Sequence, residues 1–340
     1  MNRLRLIGIA ATTVAASFLT IGAAFSTPGG EGKSFAAPTS AKPIKIAFVT
    51  NNASDYWLIA EAGANQAQKE LGHGYQVDFG MPSESTVAVQ EAMINNYIAD
   101  GVRAIALSPV DAKKQTAWIN KIAGKVSVIT QDSDAPLSTR LAYLGTDNHA
   151  AGLLAGSYIL KALPRGGKIE MFVGSRVAQN SRAREQGIRD ALKGSSIEIV
   201  DVLDDHADAS LAKKDAADAM TAHPDLSMEV GLYSYNGPAI IEAVEEARNV
   251  GKVKIVCFDQ EKATLAGVKN GAVFATVVQQ PYKFGYDGTK LLAQLALGNK
   301  SSLPRNKMLF FKAVAVTPST LDKYVAELNK ETGYSWGPGN

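Results

Sequence analysis

Only one of the 340 residues is a cysteine, Cys257, so no disulfide can form within the chain and apolar cores must hold it folded. Charge of one sign is equally scarce. Thirty-five Lys and Arg face 33 Asp and Glu, a formal +2 without the basic stripe that a phosphate backbone demands, which argues against nucleic acid as a partner. The four histidines, His73, His149, His206 and His223, are scattered. Asp204-Asp205-His206-Ala207-Asp208 has the residue types of a metal site, but its spacing suits a solvated loop ahead of a helix, and no metal is expected. Missing too are a Gly-x-Gly-x-x-Gly after the first strand, a complete Gly-x-x-x-x-Gly-Lys-Ser/Thr loop and a Gly-x-Ser-x-Gly elbow, so no cofactor and no enzyme class is signalled. Asp132 and Asp259 are of the type that does acid–base work on a sugar, yet nothing in the sequence marks either for a raised pKa.

What is present begins with Arg3 and Arg5, followed by an apolar run from Leu6 to Phe25 that contains Gly22-Ala23-Ala24. This reads as a secretory signal, cleaved after Ala24 or Ala36, with residues 26–41 a Gly/Pro/Ser-rich tether. An uncleaved anchor is the alternative, disfavoured by Thr12, Thr13, Ser17 and Thr20 within the run. From Ile44 onward, short β-branched runs alternate with stretches of helical periodicity across short connections, which predicts doubly wound parallel α/β sheets. In Tyr56 to Leu71, for example, Trp57, Ala60, Ala64, Ala67 and Leu71 fall three or four apart, and Gly72 ends the helix. The pattern restarts after Thr146, so two lobes of roughly five strands each are expected. Residues 42–146 plus 280–312 would form the first lobe and 147–279 plus 313–340 the second, with crossings near Thr146, near Gln280 and at Phe311 to Val314.

Strands of parallel sheets are buried on both faces and bind ligands beyond their carboxyl ends. Here several such ends carry polar groups: Thr50 and Ser54 after the first strand, Asp132 and Asp134 after Ser127 to Thr130, Asn236 near Tyr233, Asp259 after Phe258, and Gln279. A single strand-tip aspartate most simply caps the next helix or makes a turn, so the weight lies in their number. Carboxylates and amides engage adjacent hydroxyls through two atoms, which suits a polyhydroxylated ligand. Arg184 would add a fork of charged donors, and Tyr56 and Trp57 flat apolar faces.

At these residues the chain resembles the periplasmic sugar-binding proteins of ABC importers, in particular the ribose-binding-protein-like group of type I periplasmic binding proteins. The resemblance runs from Ile44 to about Val316. It rests on Tyr56-Trp57, Ser108-Pro-Val-Asp111, Gln131-Asp-Ser-Asp134, Gly145-Thr-Asp-Asn148, Arg184-Glu-Gln-Gly187, Thr221-Ala-His-Pro-Asp225, Cys257-Phe-Asp259 and Gln279-Gln-Pro281, in that order. It implies two lobes on a three-segment hinge, a monosaccharide or polyol in the cleft, delivery to a membrane permease, a periplasmic location and a monomer. It also implies ligand-lining roles for Thr50, Ser54, Tyr56, Trp57, Asp132, Arg184, Asn236, Asp259 and Gln279. Ser133 departs from the pattern, since ribose binders carry arginine directly after the aspartate matched by Asp132. Asp-Ser-Asp looks like relatives that bind other polyols, rhamnose-type sugars or autoinducer-2. A receptor subunit for chemotaxis or autoinducer-2-type signalling would use the same cleft, and a secreted sugar hydrolase would differ by turning its ligand over. A repressor of the lactose-repressor type shares the core but would need a helix-turn-helix where this chain has its export signal.

Overall fold

The computed structural model describes residues 42–337; the expected signal and tether, residues 1–41, lie outside the described residues. The described residues open with β1 (Ile44–Val49), α1 (Asp55–Leu71), β2 (Tyr75–Gly80), α2 (Val87–Ala99), β3 (Ala104–Leu107), α3 (Ala112–Ala123), β4 (Ser127–Gln131) and β5 (Tyr143–Thr146). They continue with α4 (Asn148–Ala162), β6 (Gly167–Val173), α5 (Gln179–Leu192), β7 (Ile197–Asp204), α6 (Ala209–Ala222), β8 (Leu226–Gly231), α7 (Asn236–Glu246), β9 (Lys254–Phe258), α8 (Lys262–Asn270) and β10 (Ala275–Val278). The last elements are α9 (Pro281–Ala296), β11 (Met308–Phe311), β12 (Val314–Val316) and α10 (Leu321–Thr332).

These strands make two six-stranded sheets, ordered β2-β1-β3-β4-β5-β11 and β7-β6-β8-β9-β10-β12. All pairings are parallel except that of β12, which runs antiparallel to β10. The doubly wound architecture expected from the alternation is therefore the one present. The interiors of the inner strands are solvent-free, as Phe48, Ile105, Ile129, Met171, Val230 and Val256 illustrate, because helices cover both faces of each sheet.

The expected strand count needs correction. The stretch Met308 to Val316 is divided at Lys312-Ala313, β11 joining the first sheet beside β5 and β12 the second beside β10. Each sheet thereby gains an edge strand, six in place of five. The chain also passes from sheet to sheet between β5 and α4 and between β10 and α9, for α4 packs on β9 and β10, and α9 on β1, β3 and β4. Helix α10 touches both lobes. Leu321, Tyr324 and Val325 pack on the second, while Leu328 meets Ile59 of α1 and Tyr282 of α9 together with Trp336.

Two close helix pairs anchor the lobes. In the first, α1 and α9 approach so nearly that a Cβ on Gly285 would run into the carbonyl of Ala60, and one on Gly63 into that of Tyr282. In the second, Gly152 of α4 lies against the carbonyl of Arg184 on α5, and Gly187 against that of His149. This seats the backbone of Arg184 directly on α4. Gly285→Ala is expected to destabilise the protein by about 1 to 3 kcal/mol through overpacking against rigid backbone. Thermal denaturation checks this, and an unchanged midpoint would show that the helices can part freely.

Candidate functional site

Asp132 and Asp259 occupy equivalent places at the tips of β4 and β9, and both have a left-handed backbone, with φ of 58° and 67°. Aspartate tolerates this region better than most residues, but the conformation still carries strain and persists only where neighbours enforce it. Each lobe enforces it in the same way. The Asp132 N–H donates to Leu144 O at 3.1 Å and its carbonyl accepts from the Tyr143 hydroxyl at 2.8 Å. The Asp259 N–H donates to Val277 O at 2.9 Å and its carbonyl accepts from Thr276 Oγ1 at 2.6 Å. Both side chains are thus turned off the end of their sheet and into one cleft.

Ser54, Tyr56, Trp57 and Asp132 from the first lobe line that cleft together with Arg184, Asp259 and Gln279 from the second. Ser108 Oγ donates to Asp132 Oδ2 at 3.0 Å, and the Tyr56 hydroxyl donates to Oδ1 at 3.4 Å. Tyr56 stands edge-on to Trp57, 4.9 Å between ring centres, and Trp57 Nε1 donates to Asn52 Oδ1 at 3.1 Å. Gln279 Nε2 donates to Asp259 Oδ1 at 3.1 Å. Arg184 lies over the Phe258 ring at 4.6 Å and donates from Nε to Asn148 Oδ1 at 2.9 Å and from Nη1 to Leu232 O at 2.6 Å; its Nη2 is buried and has no partner. The lobes stand so close that the cleft holds about 30 Å³, room for about two water molecules.

Two of the expected lining residues lie behind the wall. Thr50 is fully buried and donates from Oγ1 to Asn52 O at 2.6 Å, shaping the loop after β1. Asn236, the first residue of α7, accepts from the Tyr233 N–H at 2.8 Å and donates to Asp205 Oδ2 at 2.7 Å. Asp134, one of the expected tip carboxylates, is turned away, paired with Arg140 through both oxygens at 2.5 and 2.6 Å. Asp205 is not in a solvated loop. It is fully buried and takes hydrogen bonds from Tyr235 and Asn236, while Asp208 caps α6. Among the described residues no cluster of three or more His, Cys, Asp or Glu is arranged to hold a metal.

The wall also includes residues that sequence reasoning passed over: Asn51, Asn52, Asn180, Tyr233, Ser234 and Tyr235. The signal was available, since Asn51-Asn52 and Tyr233-Ser-Tyr235 follow β1 and β8 as Asp132 follows β4. Behind the wall, Gln90 ties two tips together, donating from Nε2 to Thr50 O at 2.8 Å and to Ser108 O at 2.7 Å.

Burial dominates the electrostatics. It pushes the Asp132 carboxyl up to about 6, against the lowering influence of Arg184 and of the Ser108 and Tyr56 hydroxyls, while Asp259 adds repulsion. Asp259 is raised for the same first reason and is likewise opposed by Arg184 and by Gln279. The phenols of Tyr56, Tyr233 and Tyr235 are raised by burial and stay protonated as donors. A larger hollow of about 590 Å³ is bordered by Arg103, Lys125 and Lys300, but it lies at the amino ends of β3 and β4, opposite the end where such sheets present ligand groups.

Two parallel-sheet lobes whose polar strand tips meet across a closed cleft define a two-lobed binding protein. The periplasmic binding protein domain model matches residues 46–300, and the chain belongs to that family. It is 26% identical over 303 residues to the D-ribose/D-allose-binding protein of Pseudomonas aeruginosa, which spans 86% of this chain and 91% of that one. Its structure is similar to an ABC transporter solute-binding protein from Burkholderia graminis in complex with D-arabinose, with a TM-score of 0.78, 26% identity and coverage of 84% of this chain and 99% of that one. It is also similar to an ABC transporter solute-binding protein from Agrobacterium vitis with bound D-fucose, with a TM-score of 0.77, 27% identity and coverage of 84% and 99%.

Proposed function

We propose that this protein captures a small sugar or polyol between its lobes in the periplasm and delivers it to the permease of an ABC importer. The observation that carries the reading is the matched pair of buried strand-tip aspartates, Asp132 and Asp259, one from each lobe, with Arg184 reaching the same cleft. A ligand held by groups of both lobes gains contacts only when they close, and that differential affinity moves the open–closed equilibrium. With about 30 Å³ in the cleft, the lobes must part at the three crossings to admit a monosaccharide. The face formed on closure is what the permease would read. Family membership and the sugar-bound structures similar to this one support binding without turnover, and recovery of intact sugar after incubation checks it.

A thermal-shift screen over monosaccharides, polyols and autoinducer-2 tests the proposal, because a ligand of the native state raises the melting point by mass action. At least one sugar or polyol should do so; a screen without a hit would count against it. With that ligand, Asp259→Ala should bind about 2 to 3 kcal/mol more weakly, the loss of hydrogen bonds to a charged acceptor. Titration calorimetry that returned the parent affinity would remove Asp259 from the site.

A further inference from the structure

This inference rests on the sugar-binding reading of the cleft and names the class of sugar. The wall is short of positive charge. Asp132 and Asp259 are 4% and 3% exposed, and Arg184, 2% exposed, is the one cationic side chain on the wall among the described residues. Arg140, the other buried guanidinium among the described residues, is consumed by Asp134. The ionisable groups bordering the cleft add no cation: Asp205 holds the Tyr235 hydroxyl, and Glu261 lies beside Ser234, near Asp55 and Asp259. Arg184 is itself divided, Nε and Nη1 serving Asn148 and Leu232, so Nη2 is its only uncommitted nitrogen.

Two buried carboxylates against one guanidinium leave one negative charge over, and an unpaired buried charge is strongly unfavourable. The hydrogen-bonding inventory leans the same way. Besides the carboxylates, Gln279 Oε1 is a buried acceptor without a partner, its amide nitrogen being turned to Asp259. An acceptor-rich, negatively charged wall matches an ammonium group, which offers three donors and no acceptor. A neutral polyol leaves the imbalance, and a sugar acid doubles it. We propose that the preferred ligand is hydroxyl-rich and carries a protonated amine, an amino sugar or amino polyol, with its ammonium set between Asp132 and Asp259.

The test is calorimetry at about pH 7, where an amine of the α-amino type is mostly protonated. The probes are matched triples in the gluco, galacto and manno series: the neutral hexose, its 2-amino-2-deoxy counterpart and its uronic acid. The expected result is an amino member that binds at least about tenfold tighter than its neutral parent, equivalent to 1.4 kcal/mol, with no binding of the acid. Asp132→Asn removes the surplus charge at nearly constant shape and should erase the amine's advantage. A neutral sugar bound as tightly as or more tightly than its amine overturns the inference, leaving a protonated Asp132 as the way the site balances charge. An amine advantage that survives in Asp132→Asn overturns it as well. Silence from the triples and from the whole neutral panel is a different result, since it removes the sugar-binding reading itself.

Discussion

Arg184→Met is expected to cost about 2 to 4 kcal/mol of folding stability at neutral pH and to abolish ligand capture, because it removes the cation whose field offsets the buried Asp132 and Asp259 carboxylates and leaves two buried acceptors without their donor. Methionine fills much of the volume over Phe258, so the loss reports charge and hydrogen bonding more than a cavity. Asn148 Oδ1 and the Leu232 carbonyl lose their donor at the same time. The variant also makes a prediction in pH. Arg184 is the main influence holding the Asp132 and Asp259 pKa values down against burial, so both rise further without it. Groups whose folded pKa is raised contribute stability that is complete below their unfolded value and fades as pH climbs through the folded one. The deficit should therefore be larger at about pH 8 than at about pH 5. Urea denaturation at both values measures it, and a loss below about 1 kcal/mol at neutral pH would mean that the carboxylates do not depend on the guanidinium.

Glu229→Met should act in the opposite direction and stabilise the protein by about 3 kcal/mol at pH 7. Glu229 is fully buried in β8, in register with Glu170 of β6, and neither of its carboxylate oxygens has a partner. Burial first, then repulsion from Glu170, pushes it up from 4.5 to about 9. The side chain is consequently neutral in the folded protein and ionised in the unfolded chain over that window. Stability falls as pH rises from about 4.5 to about 9, and at 1.36 kcal/mol per pH unit the deficit reaches about 3 kcal/mol by pH 7. Methionine removes the stranded oxygens and keeps apolar volume against the layer that includes Phe172 and Ile255. The melting point should rise by several degrees and its pH dependence should flatten. A parent protein whose stability is level between about pH 5 and pH 8 would show that burial does not hold Glu229 neutral.

How much of the site was legible varied with how local its cause is. Trp57, Ala60, Ala64, Ala67 and Leu71 are buried along α1 as their spacing requires, since the helical period converts position directly into direction. The aspartates at the tips of β4 and β9 were legible as tips because an apolar run must end where the sheet ends. Their side-chain fates were not. Asp134 lies two residues from Asp132 and faces away because Arg140 and Thr130 claim it, and Asn236 turns back to hold Tyr233 and Asp205. Those fates are set by polar side chains pairing with one another, which hydrophobic periodicity does not encode even where, as for Thr130, Arg140 and Tyr233, the partner is only a few residues away.

By itself, then, the order of residues determined the alternation of strand and helix, the apolar interior of both sheets and the polar character of their carboxyl ends, because each follows from neighbours within a few positions. Tertiary structure alone decided that the residues on either side of Lys312 add an edge strand to each sheet, that Asp132 and Asp259 adopt left-handed backbones facing one cleft, and that Glu229 is stranded beside Glu170. Each of those depends on which distant strand lies alongside. A contact between strands that are separate in the sequence is chosen by the packing of whole sheets and helices, to which no short stretch of sequence has access.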